Sequence, residues 1–326
     1  MESITKNKKT REQIFELVKH SFGSSALSAH ADAVSEMKDG WFNATYEIHL
    51  SDGSNIILKI APPVDVEVMT YEKNIMATEV SSMRLVAQNP FVPVPKILNS
   101  DATCKVNDSA YFFMEKLPGK NLAHHVEGDL SPELQADIER QIGAIIREVN
   151  GFTGTFFGYE GNPSLRGSTW KEAFAKIISS VIDDGLRKNA DFGADLDEIR
   201  DAIRRHLPCL EIIKTPSLVH WDAWHPNFFV ENGKISGIID FERALWADPL
   251  LEAQFRALGD HGLTEAMKGY GKTSFDPGDK ERCWLYTLHL GLVMRVEDYY
   301  RNSDSDFGPK EGKRWIYLAL KALQQD

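Results

Sequence analysis

The stretch from His220 to Glu242 constrains this chain more than any other. It begins His220-Trp221-Asp222-Ala223-Trp224-His225-Pro226-Asn227, and apolar Phe228-Phe229-Val230 follows. A polar Glu231-Asn232-Gly233-Lys234 then leads into Ile235-Ser236-Gly237-Ile238-Ile239-Asp240-Phe241-Glu242. Two apolar runs around Asn-Gly predict a β-hairpin with a tight turn, because that dipeptide accepts the positive φ such turns require. The hairpin returns the chain, so Asp240 is expected to emerge beside Asn227. The loop between Asp222 and Asn227 is long enough to turn both polar groups toward one cavity, with Pro226 restricting His225. An amide oxygen and a carboxylate, with phosphates completing the shell, suit magnesium, which takes few protein ligands at such sites.

The spacing H-x-D-x-x-x-x-N with a second Asp on the next strand is that of kinase catalytic loops. Here the chain resembles the aminoglycoside phosphotransferase and choline kinase family, whose loop usually reads His-Gly-Asp-x-x-x-x-Asn and whose metal strand reads Ile-Asp-Phe/Trp-Glu. The resemblance continues in order along the chain. Gly40-Trp41-Phe42-Asn43-Ala44-Thr45-Tyr46 is similar to the family's nucleotide-covering turn. Phe91-Val92-Pro93-Val94-Pro95-Lys96-Ile97 resembles its segment after the first long helix, and Phe112-Phe113-Met114-Glu115-Lys116-Leu117-Pro118-Gly119 its interlobe hinge. Two departures stand out: Trp221 occupies the place of a usual Gly, and Ala-Trp-His-Pro replaces the common Leu-His-Pro-Gly.

The resemblance implies a two-lobed, protein-kinase-like α+β fold, with a small antiparallel-sheet lobe over residues 1–115 and a mainly helical lobe over 116–326. It implies ATP-dependent phosphorylation of a small-molecule hydroxyl, with Mg2+ as the metal and GTP left open as an alternative donor. Asp222 would be the base, and Asn227 and Asp240 the metal ligands. Lys59, steadied by Glu79, would grip the α- and β-phosphates. Asn43 lies in the covering turn, and the backbones of Glu115 and Leu117 are placed to meet adenine. An aminoglycoside, a choline-like amine or a sugar would all serve as acceptor.

Composition narrows the partners. A chain of 326 residues, 42% hydrophobic, can bury a substantial core as one large or two moderate domains. A net charge of −11 without a basic cluster excludes a general nucleic-acid binder and suits a cationic small substrate, although acidic excess also simply maintains solubility. The polar N-terminus lacks a signal-peptide stretch, and no run approaches the ~20 apolar residues that span a bilayer. A cytoplasmic protein without a membrane partner is expected; oligomeric state leaves no mark. Cys104, Cys209 and Cys283 lack metal-ligand spacing and read as ordinary thiols.

The periodicity predicts an N-terminal helix capped by Thr10 and Gln13 and ended by Gly23, then antiparallel strands from about Val34 to Ala61, packed on one face. Lys59 is the lone cation of Ile56-Ile57-Leu58-Lys59-Ile60. A lone strand Lys also serves as a gatekeeper against aggregation, but the order turn, strand, Lys, helix, Pro segment favours phosphate binding. A helix from Val66 to Gln88 would carry both Glu72 and Glu79 on nearly one stripe; Glu79 is favoured as the partner of Lys59 and Glu72 competes. Further helices are expected around 131–150, 170–189, 195–206, 249–259 and 281–301. His220 reads as loop support, His225 as substrate contact or packing, Asp248 as a cap, and Glu242 as a water-mediated neighbour of the metal, ranked below Asp240. Trp224, Trp246, Trp284 and Glu297-Asp298-Tyr299-Tyr300 mix aromatics with acids where a cationic acceptor would bind.

Two rival readings remain. A protein kinase would carry an Arg at position 221 and an Ala-Pro-Glu after Asp240, and neither is present. A catalytically silent nucleotide-binding scaffold would lack the base or a metal ligand, and the chain keeps both.

Overall fold

The first lobe grows from a helix laid on a sheet. In the computed structural model the described residues are 3–28, 30, 32–38, 40, 42–125, 130–256, 262–302 and 306–324. Asp39 and Trp41 of the expected turns, and Asp304, lie outside them. Helix α1 (Arg11–Phe22) starts where expected: the Thr10 hydroxyl accepts from Gln13 N, the Gln13 side chain accepts from Thr10 N, and Gly23 caps the other end. Strands β1 (Val34–Met37), β2 (Ala44–His49) and β3 (Asn55–Ile60) follow, then helix α2 (Ile75–Val86), β4 (Ile97–Asp101) and β5 (Tyr111–Glu115). They form one antiparallel sheet in the order β1-β2-β3-β5-β4.

That sheet is covered on both faces, a correction to the expected single buried face. Ile14, Leu17 and Val18 of α1 pack with Tyr46, Ile48, Ile56 and Leu58. Met76, Val80 and Met83 of α2 pack with Ile57, Phe112 and Met114 from the other side. Double coverage explains why β3 is nearly all apolar and why Lys59, on the α2 side, is a buried cation.

Helix α2 is also shorter than the predicted Val66–Gln88. Asn74, at φ 57°, interrupts it, since a left-handed residue cannot continue a right-handed helix, and only a 3-10 turn (Thr70–Glu72) precedes it. Glu72 therefore never reaches the stripe of Glu79. It accepts from Met69 N and pairs with Arg301 at 2.8 Å.

The second lobe contains β6 (Lys120–Asn121), α3 (Pro132–Asn150), α4 (Trp170–Arg187), α5 (Leu196–His206), β7 (Ser217–Val219), β8 (Phe228–Glu231), β9 (Lys234–Ile238), β10 (Leu245–Ala247), α6 (Glu265–Tyr270), α7 (Pro277–Arg301) and α8 (Phe307–Leu323). Strands β6, β8 and β9 make one small sheet, and β7 pairs with β10. Its core gathers Trp170, Phe174, Tyr286, Leu292, Tyr300 and Ile316 from α4, α7 and α8.

Helix α3 holds much of the site in place. Its Glu139 meets His225 at 2.6 Å, Gln141 bonds the Gly233 carbonyl and Ile235 N, and Asn150 Nδ2 donates to the Leu218 carbonyl. It rests directly on α6: a Cβ at Gly143 would collide with the Ala266 carbonyl, and one at Gly269 with the Arg140 carbonyl. Two expectations fail in this lobe. Residues 249–256 form a 3-10 turn (Pro249–Leu251) and further turns rather than a helix, and 257–259 lie outside the described residues. Helix α8 was not anticipated, although Ile316, Ala319, Leu320 and Leu323 recur at helical spacing.

Candidate active site

The hairpin of β8 and β9 pairs Phe228 with Ile238 and Glu231 with Lys234. Asn232 (φ 51°) and Gly233 (φ 76°) occupy the positive-φ corner. Ile239 N then donates to the Asn227 carbonyl at 3.0 Å, which seats Asp240 next to Asn227. The Asn227 amide nitrogen donates to the Asp222 carbonyl at 2.8 Å, so Oδ1 is the amide atom left to face a cation.

The approach to Asp222 is held from beneath. Glu252, fully buried, accepts from His220 N (2.8 Å), Trp221 N (3.1 Å) and Asn150 Nδ2 (2.9 Å). His220, also buried, donates from Nε2 to the Ile239 carbonyl at 2.9 Å and packs its ring on Phe241, a supporting position. Trp221 sits at φ 71°, the left-handed region, at the position where the resembling family usually has Gly. His225, expected as substrate contact or packing, is exposed and turned to Glu139, whose hydrogen bond raises its pKa. Asp248 accepts from Leu250 N as the expected cap and also pairs with Arg282 at 3.0 Å.

Lys59 reaches across the lobes. Its Nζ lies 2.7 and 2.9 Å from the Glu79 carboxylate and 2.7 Å from Asp240 Oδ1. Burial alone would discharge the ammonium; Asp240, Glu79 and Glu242 together keep it charged and raise its pKa. Burial pushes Glu79 up to about 7 against the pull of Lys59. Burial also opposes the charge on Asp240, but Lys59, His220 and Arg243 overcome it and hold that carboxyl low.

Glu242 is driven well up by burial and by Asp240, and it accepts from Asn43 Nδ2 at 2.6 Å. Carboxylate oxygens of Glu79, Asp240 and Glu242 lie within 4.8 Å of one another. The one ammonium does not hold all three acids ionised, and a cation among them would favour their charged forms. Asp222 is half-buried; burial raises its pKa, while Arg243 and Arg256 pull it down.

Of the two residues expected at the hinge, Glu115 is exposed and gives its N–H to the Lys96 carbonyl. Leu117 lies against Gly237 of β9.

Sequence reading overlooked Glu252, Arg243 and Arg256. Arg243 follows the Asp-Phe-Glu triplet directly, a position that invited attention; Glu252 and Arg256 lie in a stretch without periodicity. Part of the expected mixture of aromatics and acids is engaged elsewhere, while Trp224 stays exposed on the loop after Asp222. Glu297 is consumed by Arg243 (2.6 Å) and Arg301, Trp246 packs in the core against Gly154, and Trp284 packs on the main core.

A profile of the phosphotransferase enzyme family matches residues 33–255. The chain belongs to that family. Among solved structures it is similar to a thermostable mutant of aminoglycoside phosphotransferase APH(4)-Ia, 17% identical, with a TM-score of 0.67 over 95% of this chain and 98% of that one. It is also similar to a putative fructosamine-3-kinase from Thermobifida fusca YX-ER1, 18% identical, with a TM-score of 0.63 over 96% and 99%. A curated relative, the probable acyl-CoA dehydrogenase IBR3 of Arabidopsis thaliana, is 21% identical over 231 residues, 69% of this chain; the match spans 28% of that protein's length. This member of the phosphotransferase enzyme family thus has a two-lobed, protein-kinase-like α+β fold. Among its described residues no helix is long and apolar enough to cross a membrane.

Proposed function

We propose that this phosphotransferase moves the γ-phosphoryl group of ATP to a hydroxyl of a small molecule, with Asp222 as the base. The observation that carries the reading is the Lys59 ammonium, bonded to Glu79 on one side and Asp240 on the other, with Asn227 beside Asp240. Names of similar structures record AMP-PNP with hygromycin B, and ADP with hygromycin B, which supports a nucleotide and a small-molecule acceptor here.

The donor set fits magnesium: an amide oxygen and a carboxylate are hard ligands, with two further acids close to Asp240. Asn227 and Asp240 would hold the ion, which neutralises the developing charge on the phosphate oxygens. The chain's own part is positioning and charge. Lys59, aligned by Glu79, binds the α- and β-phosphates. The carbonyl of Glu115 and the backbone of Leu117 border the base, and Asn43 belongs to the turn over the nucleotide. Asp222 accepts a hydrogen bond from the acceptor hydroxyl and takes its proton as the oxygen–phosphorus bond forms. Asn227 Nδ2 fixes the loop carrying Asp222, so base and ligands move as one unit.

Asp222→Asn assayed by ADP release, with a substrate the wild type accepts, tests the assignment. Loss of about 10²–10⁴ in kcat is expected; near-normal turnover by a folded variant overturns it. Tight ATP binding with no transfer across a panel of hydroxyl compounds would favour a silent scaffold.

A further inference from the structure

Beside Asp222 lies a cluster of buried side-chain nitrogens without hydrogen-bond partners among the described residues. Trp221, 3% exposed, has two guanidinium groups over its ring, Arg243 at 5.0 Å and Arg256 at 4.3 Å, and His289 meets it edge-on at 6.1 Å. Trp221 Nε1, Arg243 Nε, Arg256 Nε and Nη1, and both nitrogens of His289 are buried with no hydrogen-bond partner among the described residues. The side chain of Arg256, 7% exposed, makes one hydrogen bond, from Nη2 to the Trp221 carbonyl, and no ion pair among the described residues. Arg243 is partly satisfied by Glu297, and Arg301 shares Glu297 and Glu72.

Native structures seldom leave such groups unmatched, each costing about 1–3 kcal/mol. The unmatched atoms are mainly donors. Indole N–H and guanidinium N–H groups donate and do not accept. His289 is neutral, pushed down to about 3 by burial and by the two arginines, so it adds one donor, one acceptor and no charge. A single water offers too few lone pairs for this set, whereas an oxyanion presents several acceptors and a charge. Glu252 is already occupied by three N–H donors, and Asp222 faces the reaction.

We propose that these donors receive an anionic substituent, a carboxylate or phosphate group, of the alcohol that Asp222 activates. The acceptor is then an anion, which reverses the expectation of a cationic substrate drawn from net charge. This rests on the kinase reading of Asp222, since it names the substrate class of the same site.

The test is thermal shift and calorimetric titration with inorganic phosphate and with acetate, in saturating AMP-PNP and magnesium so that phosphate does not report the triphosphate site. Wild type is expected to bind one of the two anions; phosphate alone identifies a phosphate ester and acetate alone a carboxylate. Arg256→Gln should weaken that binding about 10- to 100-fold, the loss expected for a charge-assisted contact. Arg256→Lys should rescue it in part, and Trp221→Phe, which keeps the ring and loses the N–H, should weaken it less. AMP-PNP binding should persist in all of them and serves as the check on folding. Absence of anion binding in the wild type, or equal binding by Arg256→Gln, overturns the proposal while AMP-PNP binding stands. Absence of AMP-PNP binding by the wild type instead defeats the kinase reading.

Discussion

Asn43 Nδ2 donates to Glu242 Oε2 over 2.6 Å, joining residues 199 positions apart in the two lobes. Burial and Asp240 favour the protonated form of Glu242, a state that glutamine imitates. Glu242→Gln should therefore keep kcat within about threefold of wild type, a change under about 1 kcal/mol. Asp240→Asn should lower it by about 10²–10³. Steady-state kinetics with titrated magnesium separates the two, and equal losses would mean that Glu242 works as an anion.

Glu72 and Glu79 should part company in the same way. Lys59→Met is expected to cost about 10²–10³ in kcat/KM for ATP, and Glu79→Gln about tenfold as the ammonium loses its alignment. Glu72→Ala, which strips Arg301 of a buried partner, should cost about 3 kcal/mol of stability with kcat per folded molecule unchanged. Urea unfolding and initial rates on the same preparations decide it.

Glu79 also sets a pH dependence. Its folded pKa, about 7, lies above the ordinary 4.5, so the folded state keeps a proton that the unfolded state releases. Its contribution to stability is complete below pH 4.5 and fades as pH rises to about 7. Without nucleotide and metal, Tm should fall more steeply between pH 5 and 7 in wild type than in Glu79→Gln, as scanning calorimetry would record. A parallel pair of curves would refute it.

Trp221→Gly should relax the left-handed backbone, recovering about 1 kcal/mol, but lose the ring over which Arg243 and Arg256 lie. A net loss of about 2–4 kcal/mol in urea unfolding is expected. A more stable variant would show that the ring contributes little.

The legible parts of this chain were those governed by local rules. Asn232-Gly233 announces a positive-φ turn whatever surrounds it, and Thr10 with Gln13 announces a helix start, so the hairpin and α1 followed from nearby residues, whereas the choice of Glu79 over Glu72 for Lys59 rested on the family resemblance. Helix α2 was drawn too long because Asn74 reads as an ordinary polar residue until its φ is known. The role of Glu252 was hidden because its partners, His220 N, Trp221 N and Asn150 Nδ2, include backbone groups that leave no pattern. Arg256 looked like a solvated charge, since burial at a turn has no period to reveal it. The sheet's second covered face depended on where α1 docks, a tertiary fact.

The glycine crossing of α3 and α6 fixes a dimension that chemistry depends on from afar. With no side chain between the two backbones, their separation has no adjustable spacer, and the same helix grips His225, the hairpin corner and β7. One added carbon at position 143 would act as a shim, tilting that grip and moving the loop of Asp222 relative to Lys59. Misalignment of this kind would surface as slowed turnover in a protein that still melts cooperatively.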